Sequence, residues 1–424
     1  MTAFDLHRPP QQEIIDDCVH CGFCLETCPT YVLWGAEADS PRGRIVLVND
    51  GLNAEGPMSD EMVTHFDRCL GCMACVTACP SGVQYDRLIE RVRPQVERRH
   101  KRTPGERALR KLLFETLPHP KRLRALAPML AAGRRLGAEK VMPERLAAIA
   151  KVAPQAPVGR AAKARVPELT PAMGTARGRV GLLLGCVQRI FYPEVHRATV
   201  HALSAEGFEV VAPALPDCCG ALEFHSGEEA SASRRARETI AAFTQAGVDH
   251  VIVNAAGCGS AMKEYGDLLG TDEARAFAEK VRDVTELLAS VEAQAPRGPV
   301  PLRVAYHDAC HLAHAQGVRS APRELLRAIP DLELVEVGTE RDVCCGSAGI
   351  YNLVQPEAAA ELGARKARNL IETGAQAIAA GNPGCAAQLD LYLRELGCPL
   401  PIHHPVELVS RSITAARARS RSER

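Results

Sequence analysis

The sequence predicts an α+β protein of several domains, in which a small helical module precedes two copies of a parallel α/β unit. Three observations predict this fold class. The first 80 residues contain one dense cysteine motif twice. The second half contains a sparser pattern, C…CCG…C, also twice. In both sparse copies, apolar runs typical of buried strands alternate with helix-like segments, as in a parallel sheet.

Composition narrows the class of protein. The chain has 424 residues, of which 46% are hydrophobic and 24% charged, as expected for a soluble protein of two or three domains. Zero formal net charge and 4% aromatic residues argue against a nucleic-acid partner. The N-terminus lacks a secretory apolar segment and no run approaches a membrane span. We therefore expect a cytoplasmic protein, with at most peripheral contact at the inner face of the membrane.

Both N-terminal motifs read C-x2-C-x2-C-x3-C-P, and the 17 cysteines of the chain favour metal binding over a disulfide framework. This spacing is typical of two-cluster ferredoxins, in which the fourth cysteine of each motif ligates the other cluster. It predicts two [4Fe-4S] clusters with crossed ligand sets. The first set is Cys18, Cys21, Cys24 and Cys79, and the second set is Cys69, Cys72, Cys75 and Cys28. Zinc knuckles or unliganded structural thiols are the alternative.

The segments around these motifs are predicted to be helical. Ser59 suits a helix N-cap, followed by two acidic residues in the first turn. The stretch SPRGR, Ser40 to Arg44, carries two arginines. Three roles are open for them: to tune a cluster potential, to face a partner, or to lie in a solvated turn. The basic run at 90–102 favours a solvated helix face, with an acidic partner or anionic lipid as the alternative.

The second half is an internal duplication. Its first copy contains Cys186, Cys218, Cys219 and Cys258, and its second copy contains Cys310, Cys344, Cys345 and Cys385. The predicted strands are residues 179–185, 208–213 and 250–256 in the first copy and 302–307, 332–337 and 375–381 in the second. The predicted helices are 193–206 and 228–246. Each cysteine follows a strand, so four thiols should meet at the carboxyl edge of each sheet.

Adjacent cysteines can share one site only in an irregular loop, and the glycine after each pair supplies the necessary backbone freedom. Four converging thiolates suit an iron–sulfur cluster or zinc, while a redox-active dithiol and structural thiols remain open. The segment YHDACHLAH adds His307, His311 and His314 around Cys310. Asp308 suits an N-cap that would place Cys310 at a helix N-terminus. Packing or support of a ligand is the ordinary role for these histidines.

Motifs for an organic redox cofactor are absent from the sequence. It contains neither the G-x-G-x-x-G fingerprint nor a G-x-x-x-x-G-K-[ST] loop, and no Ser-His-Asp motif is evident. A chain with one-electron centres and no hydride acceptor needs a flavin or nicotinamide held elsewhere. The sequence therefore indicates an electron-transfer subunit of a larger oxidoreductase.

The whole pattern resembles the iron–sulfur subunits of flavin-linked oxidoreductases. The segments CVHCGFCLETCPTY, SPRGRI, CLGCMACVTACPSGV and CCGSAGIYNL are most similar to the glycolate oxidase iron–sulfur subunit family. The resemblance implies FAD-binding partner subunits that oxidise glycolate to glyoxylate and electrons that pass through this chain towards a membrane quinone. Lactate or glycerol-3-phosphate oxidation is the alternative.

A second resemblance, to the CCG-containing chain of heterodisulfide reductases, implies catalytic thiol and disulfide chemistry. That family carries an extra cysteine three residues before the last one of each repeat, where this chain has Ala255 and Asn382.

The predicted layout is a ferredoxin-like domain at 1–103, a helical Pro- and Ala-rich linker at 104–177, CCG repeats at 178–296 and 300–410, and a disordered basic tail at 411–424.

Overall fold

The computed structural model describes residues 2–135, 151 and 165–422. The N-terminal module is helical, and its cysteine loops lie between short helices. Ser40 and Ser59 cap two of these helices, with their hydroxyls accepting from the amides of Gly43 (3.0 Å) and Met62 (3.2 Å). The predicted N-cap at Ser59 is confirmed. The helices are Gln12–Asp16, Pro29–Trp34, Pro41–Asn53, Asp60–Arg68, Ala74–Ala78 and Tyr85–Arg99, with a 3-10 turn at Glu37–Asp39.

Two helices, Pro104–Thr116 and Pro120–Arg135, follow this module. The first begins with a capping box, in which Thr103 and Glu106 each accept a hydrogen bond from the other's backbone amide. These helices agree with the helical character predicted after residue 104. Most of the predicted Pro- and Ala-rich linker lies outside the described residues.

Two sheets form the second half. The first has the order β1-β3-β2-β4-β5, with β1 antiparallel to β3 and the other pairs parallel. The second has the order β7-β6-β8-β9 and is parallel throughout. The strands are β1 Leu169–Thr170, β2 Gly178–Leu182, β3 Phe208–Val211, β4 His250–Val253, β5 Val281–Asp283, β6 Leu302–His307, β7 Leu332–Val335, β8 Ala377–Ala380 and β9 Ile402–His403. All six predicted strands are present.

Helices cover both sheets, including the two predicted at 193–206 and 228–246. In the first repeat they are Val187–Phe191, Pro193–Ala205, Ala221–Phe224, Glu229–Ala246, Ala256–Lys263, Tyr265–Leu269, Asp272–Ala278 and Val284–Ala289. In the second they are a π-helical turn at His311–Ala315, then Ser320–Arg327, Tyr351–Val354, Pro356–Ile371, Pro383–Glu395 and Pro405–Ser422. No helix in the described ranges combines the length and apolar character that crossing a bilayer requires.

The two repeats share one hydrophobic core. Alternate residues of β2 and β6, such as Val180 and Val304, face this shared core, and Leu203 and Val409 come from the helices packed beside it. The residues between them face the helices of their own repeat. A backbone hydrogen bond from Ala256 N to Gly381 O (3.1 Å) also joins the segments that follow β4 and β8. The carboxyl edges of the two sheets are therefore held next to each other.

Three expectations from the sequence are wrong. The segment predicted as a disordered tail at 411–424 continues the helix Pro405–Ser422, because Ile413 packs into the shared core. The basic run at 90–102 is not a solvated face, since its arginines pair with acids elsewhere in the fold. These pairs are Arg91–Asp267 (3.1 Å), Arg98–Glu229 (3.0 Å) and Arg102–Asp67 (2.8 Å). Asp308 does not cap a helix, because its carboxylate accepts from the guanidinium of Arg323.

We expect Leu203→Ala to destabilise both repeats together. Leu203 is fully buried in the shared core, and such a truncation costs about 2–5 kcal/mol of unfolding free energy. Hydrogen exchange followed by mass spectrometry should show equal loss of protection in β2 and β6. Leu396→Ala, at a half-exposed leucine, is the control and should change little. Loss confined to the first sheet would contradict a shared core.

Candidate metal centres

The structure brings the N-terminal cysteines together as two crossed sets. One hollow is lined by Cys18, Cys21, Cys24 and Cys79, together with Arg42. A second hollow is lined by Cys28, Cys69, Cys72 and Cys75, together with Arg44 and Tyr85. Cys28 lies just before the short helix Pro29–Trp34 and Cys79 just after the short helix Ala74–Ala78, and each of them lines the hollow of the other motif. Each hollow thus receives four sulfurs, in the grouping that the motif spacing predicts.

Polar groups surround the second hollow. Arg44 is almost fully buried, and its guanidinium donates to the Thr30 hydroxyl (3.1 Å) and the His65 carbonyl (2.7 Å). The hydroxyl of Tyr85 donates to the sulfur of Cys69 (3.7 Å). Positive charge and hydrogen-bond donors near thiolates stabilise the electron-rich state of a cluster. Arg44 of the SPRGR stretch therefore belongs to the site, as one interpretation of the sequence predicts. No feature of the sequence singles out Tyr85.

Asp39 organises this side of the module. Its buried carboxylate binds His65 Nδ1 (2.8 Å), Arg68 Nη1 (2.8 Å) and Arg44 Nη2 (3.5 Å). Its backbone carbonyl accepts from the Thr30 hydroxyl (2.6 Å). Arg44 is thus held in place by several partners, so its charge has a fixed position beside the second cysteine set.

The first hollow lies near the surface. Cys21 is exposed, and the side chains of Val19 and Phe23 on either side of it are each 67% exposed. Arg42 closes one side by donating to the His20 carbonyl (3.0 Å) while pairing with Glu37. The two hollows therefore differ in exposure, with the first open at the surface and the second enclosed.

The CCG pairs lie in irregular loops, as the sequence predicts. Gly220 and Gly346 adopt φ of +81° and +83°, the left-handed region that favours glycine. A Cβ atom on Gly346 would come within 2.7 Å of the Ala359 carbonyl oxygen. Because of this turn, both cysteines of a pair can reach the same edge of the sheet.

All eight repeat cysteines line one cavity. The carboxyl edges of the two sheets face it from opposite sides, and Asn254, Ala255 and Asn382 also line it. Its volume is about 1110 Å³, including the open mouth. The sequence predicts one thiol site per repeat, but it does not predict that both sites open into the same space. The lining cysteines are Cys186, Cys218, Cys219, Cys258, Cys310, Cys344, Cys345 and Cys385.

Within each repeat the sulfurs are close enough to share protons. In the first, hydrogen bonds from Cys186 and Cys219 hold the pKa of the Cys218 thiol well below its usual range. In the second, Cys310 Sγ lies 3.9 Å from Cys344 Sγ and 3.6 Å from His311 Nδ1. Cys344 and then His311 lower the pKa of Cys310. Such clustered soft donors fit iron or zinc.

Histidines contact the second site and reach across to the first repeat. The rings of His311 and His225 lie with their centroids 4.8 Å apart at a tilt of 51°, and His225 Nδ1 lies 3.0 Å from the carboxylate of Glu90. His314 Nδ1 lies 3.0 Å from the hydroxyl of Thr77, which is two residues before Cys79 of the first hollow. These contacts connect the N-terminal module to both repeats. The sequence flags His311 and His314 but gives no signal for His225.

The second hollow adjoins the shared cavity. Cys72 belongs to the same buried cluster as Cys310 and Cys344, with Leu70 and Val343 between the loops. Burial raises the pKa of Cys72 and Cys75 well above the usual thiol range. A buried thiolate needs nearby positive charge, and a bound metal supplies it. The donor sets therefore fit iron–sulfur clusters, whose chemistry is one-electron transfer.

Comparisons with known families agree with this arrangement. The family model "4Fe-4S dicluster domain" matches residues 14–83, and "Cysteine-rich domain" matches residues 180–263 and 304–390. The model "Glycolate oxidase iron-sulfur subunit, linker region" matches residues 105–153. The chain thus carries iron–sulfur and cysteine-rich modules in the order found from its motifs.

Individual relatives span almost the whole chain. A probable glycolate oxidase iron–sulfur subunit of Bacillus subtilis is 36% identical over 92% of this chain and 91% of its own length. The glycolate oxidase iron–sulfur subunit of Escherichia coli is 34% identical over 94% of each chain. A lactate utilization protein A of Oceanobacillus iheyensis is 29% identical over 55% of this chain and 96% of its own length.

The crossed sets make a specific prediction for Cys79→Ser. Although Cys79 belongs to the second motif, its loss should remove the same electron paramagnetic resonance signal as Cys21→Ser, with about four irons lost. Cys398→Ser, at a cysteine that belongs to neither motif and to neither set of four repeat cysteines, is the control. If Cys79→Ser instead abolishes the signal that Cys72→Ser abolishes, the sets are not crossed.

Replacing Arg44 should shift one potential only. Arg44→Met removes a buried positive charge beside the second cysteine set. The reduction potential of the cluster expected there should therefore fall by at least about 60 mV, which is a tenfold change in a one-electron equilibrium. Potentiometric titration measures this, and Arg44→Lys should restore most of the shift. An unchanged potential in a folded Arg44→Met protein would show that the arginine is only structural.

Proposed function

Because this chain belongs to the glycolate oxidase iron–sulfur subunit family, we propose that it is the electron-transfer subunit of a flavin-linked glycolate oxidase. Partner subunits that hold FAD oxidise glycolate to glyoxylate, and this chain carries the electrons towards quinone. The single observation that carries the proposal is the shared buried cluster of Cys72, Cys310 and Cys344. It connects the second N-terminal cysteine set to the cavity between the repeats.

The proposed ligands are the crossed sets. Cys18, Cys21, Cys24 and Cys79 hold one [4Fe-4S] cluster, and Cys28, Cys69, Cys72 and Cys75 hold the other. The four cysteines of each repeat are proposed to hold further iron or zinc. The grouping of the sulfurs around two hollows and one cavity supports these assignments.

The electrons and protons of the overall reaction balance. Glycolate loses two electrons and two protons when it becomes glyoxylate, and a quinone takes up two of each when it becomes a quinol. The flavin of the partner accepts the pair, and this chain transfers them singly. The chain's residues hold the carriers, set their potentials through Arg44 and Tyr85, and enclose the inner carrier from water.

The exposed loop around Cys21 is proposed as the place where electrons enter. Val19 and Phe23 present apolar surface on both sides of a proposed cluster ligand. A flavoprotein subunit docked there brings its flavin next to the outermost carrier. The acceptor then lies on the side of the repeats, where contact with the membrane is proposed to be peripheral.

A second function has one observation in its favour. All eight repeat cysteines line one cavity, which suits thiol or disulfide chemistry as in heterodisulfide reductase. Against it, Asn382 stands where that family has its extra cysteine and donates instead to Cys385 Sγ (3.5 Å). Electron transfer therefore agrees better with the residues present.

The function is tested by reduction of the clusters under anoxic conditions. We expect glycolate to bleach the visible absorption of this chain only when the FAD-holding subunits are present, because the chain alone has no two-electron acceptor. Lactate and glycerol-3-phosphate are compared in the same assay. Oxidation of glycolate by the isolated chain with an artificial acceptor would contradict the proposal.

Phe23→Glu should weaken docking of the flavoprotein subunit. Replacing an exposed apolar anchor by a charge should raise the Kd about tenfold, or ~1.4 kcal/mol. Binding is measured by biolayer interferometry, and iron content should stay unchanged. The control is Leu112→Glu, which places the same charge at a half-exposed leucine of the helix Pro104–Thr116. Equal effects of the two variants would place the docking surface elsewhere.

A further inference from the structure

The imidazole of His307 is a buried donor that the proposed electron path does not use. His307 ends β6 and is only 2% exposed. Its Nε2 has no hydrogen-bond partner among the described residues. One of its ring nitrogens and the sulfurs of Cys345 and Cys385 all lie within 4.8 Å of one another. Native proteins rarely leave such a buried polar atom unpaired, so the position calls for a ligand.

Strand geometry explains why His307 meets these thiols. Side chains alternate along β6, so Val304 and Tyr306 face the core shared by the repeats. Ala305 faces the other side and belongs to the cluster that contains Cys345 and Cys385. His307, two residues after Ala305, projects to that same side. The imidazole is therefore delivered to the thiols by the regular pleat of the strand.

The first repeat provides an internal comparison. His307 lies three residues before Cys310, and Leu183 lies three residues before Cys186. Leu183 is buried in the cluster that contains Cys219, the counterpart of Cys345. Since a leucine fills this position in one repeat, the fold itself does not require an imidazole there. The two thiol sites thus differ by one nitrogen donor.

Other buried histidines do not share this setting. The Nε2 atom is also unpaired among the described residues in several other histidines, but none of these belongs to a compact group of ligand atoms. They are His196, His225, His311, His314 and His404. In the part of the chain that the structure describes, His307, Cys345 and Cys385 are the one such group. Two soft sulfurs and one imidazole nitrogen at this spacing suit a single metal atom.

We propose that His307 supplies a nitrogen ligand to an iron atom that Cys345 and Cys385 also bind. The second repeat then holds a mixed thiolate–imidazole centre and the first repeat an all-thiolate one. The inference rests on the proposed function only in requiring iron in the second repeat. A neutral imidazole in place of an anionic thiolate raises a reduction potential. The centre of the second repeat, which lies beside Cys72, thereby becomes a better electron acceptor than the centre of the first repeat.

The test uses the full-length chain purified anoxically with its partner subunits. Protein labelled with ¹⁵N-histidine and unlabelled protein are compared by pulsed electron paramagnetic resonance across a redox titration. We expect a histidine nitrogen coupling on an iron signal. That coupling should disappear in His307→Cys while the iron content stays the same, because cysteine keeps a soft ligand. It should persist in His404→Leu, which removes another buried imidazole of the same repeat.

The possible outcomes separate the inference from the proposed function. If Cys385→Ser lowers the iron content but the wild type shows no histidine coupling at any potential, the second repeat holds iron and the role of His307 is wrong. A coupling that survives His307→Cys equally contradicts it. If Cys385→Ser leaves the iron content unchanged, or metal analysis finds zinc in that repeat, the iron site itself is wrong.

Discussion

The core shared by the two repeats is the constraint on which the rest of the structure depends. Each sheet turns one face to its own helices and the other to its partner repeat, so neither repeat buries its apolar surface alone. This packing holds the carboxyl edges of both sheets around one cavity. Cysteines that are up to 199 residues apart in sequence, from Cys186 to Cys385, thereby become neighbours of one space.

The N-terminal module is joined to this core by polar contacts as well as by packing. The helix Tyr85–Arg99 carries Arg91 and Arg98, whose ion pairs with Asp267 and Glu229 anchor the module to the first repeat. Thr77 contacts His314 of the second repeat. The second cysteine set is consequently pressed against Cys310, while the first set stays at the surface. The burial of the cysteines therefore increases in one direction, from the exposed loop around Cys21 inwards to the cavity.

Local patterns predict most of the parts, and long-range contacts decide how they combine. Cysteine spacing and apolar runs are local, so the crossed sets, the six main strands and the irregular CCG loops follow from the sequence. β1, β5 and β9 have only two or three residues each and form by pairing with strands already in place. The helical end of the chain, the ion pairs of the basic run and the meeting of the two thiol sites depend on partners far away in sequence. A pattern in one segment does not contain that information.

The proposed function requires that the carriers form one path from the N-terminal module into the cavity between the repeats. The position of iron tests it most directly. Anomalous diffraction at the iron edge, from crystals of the complex grown without oxygen, should show density in both N-terminal hollows and beside the cysteines of the cavity, Cys345 and Cys385 included. Iron confined to the N-terminal hollows would contradict the account, because the path would then end before the repeats.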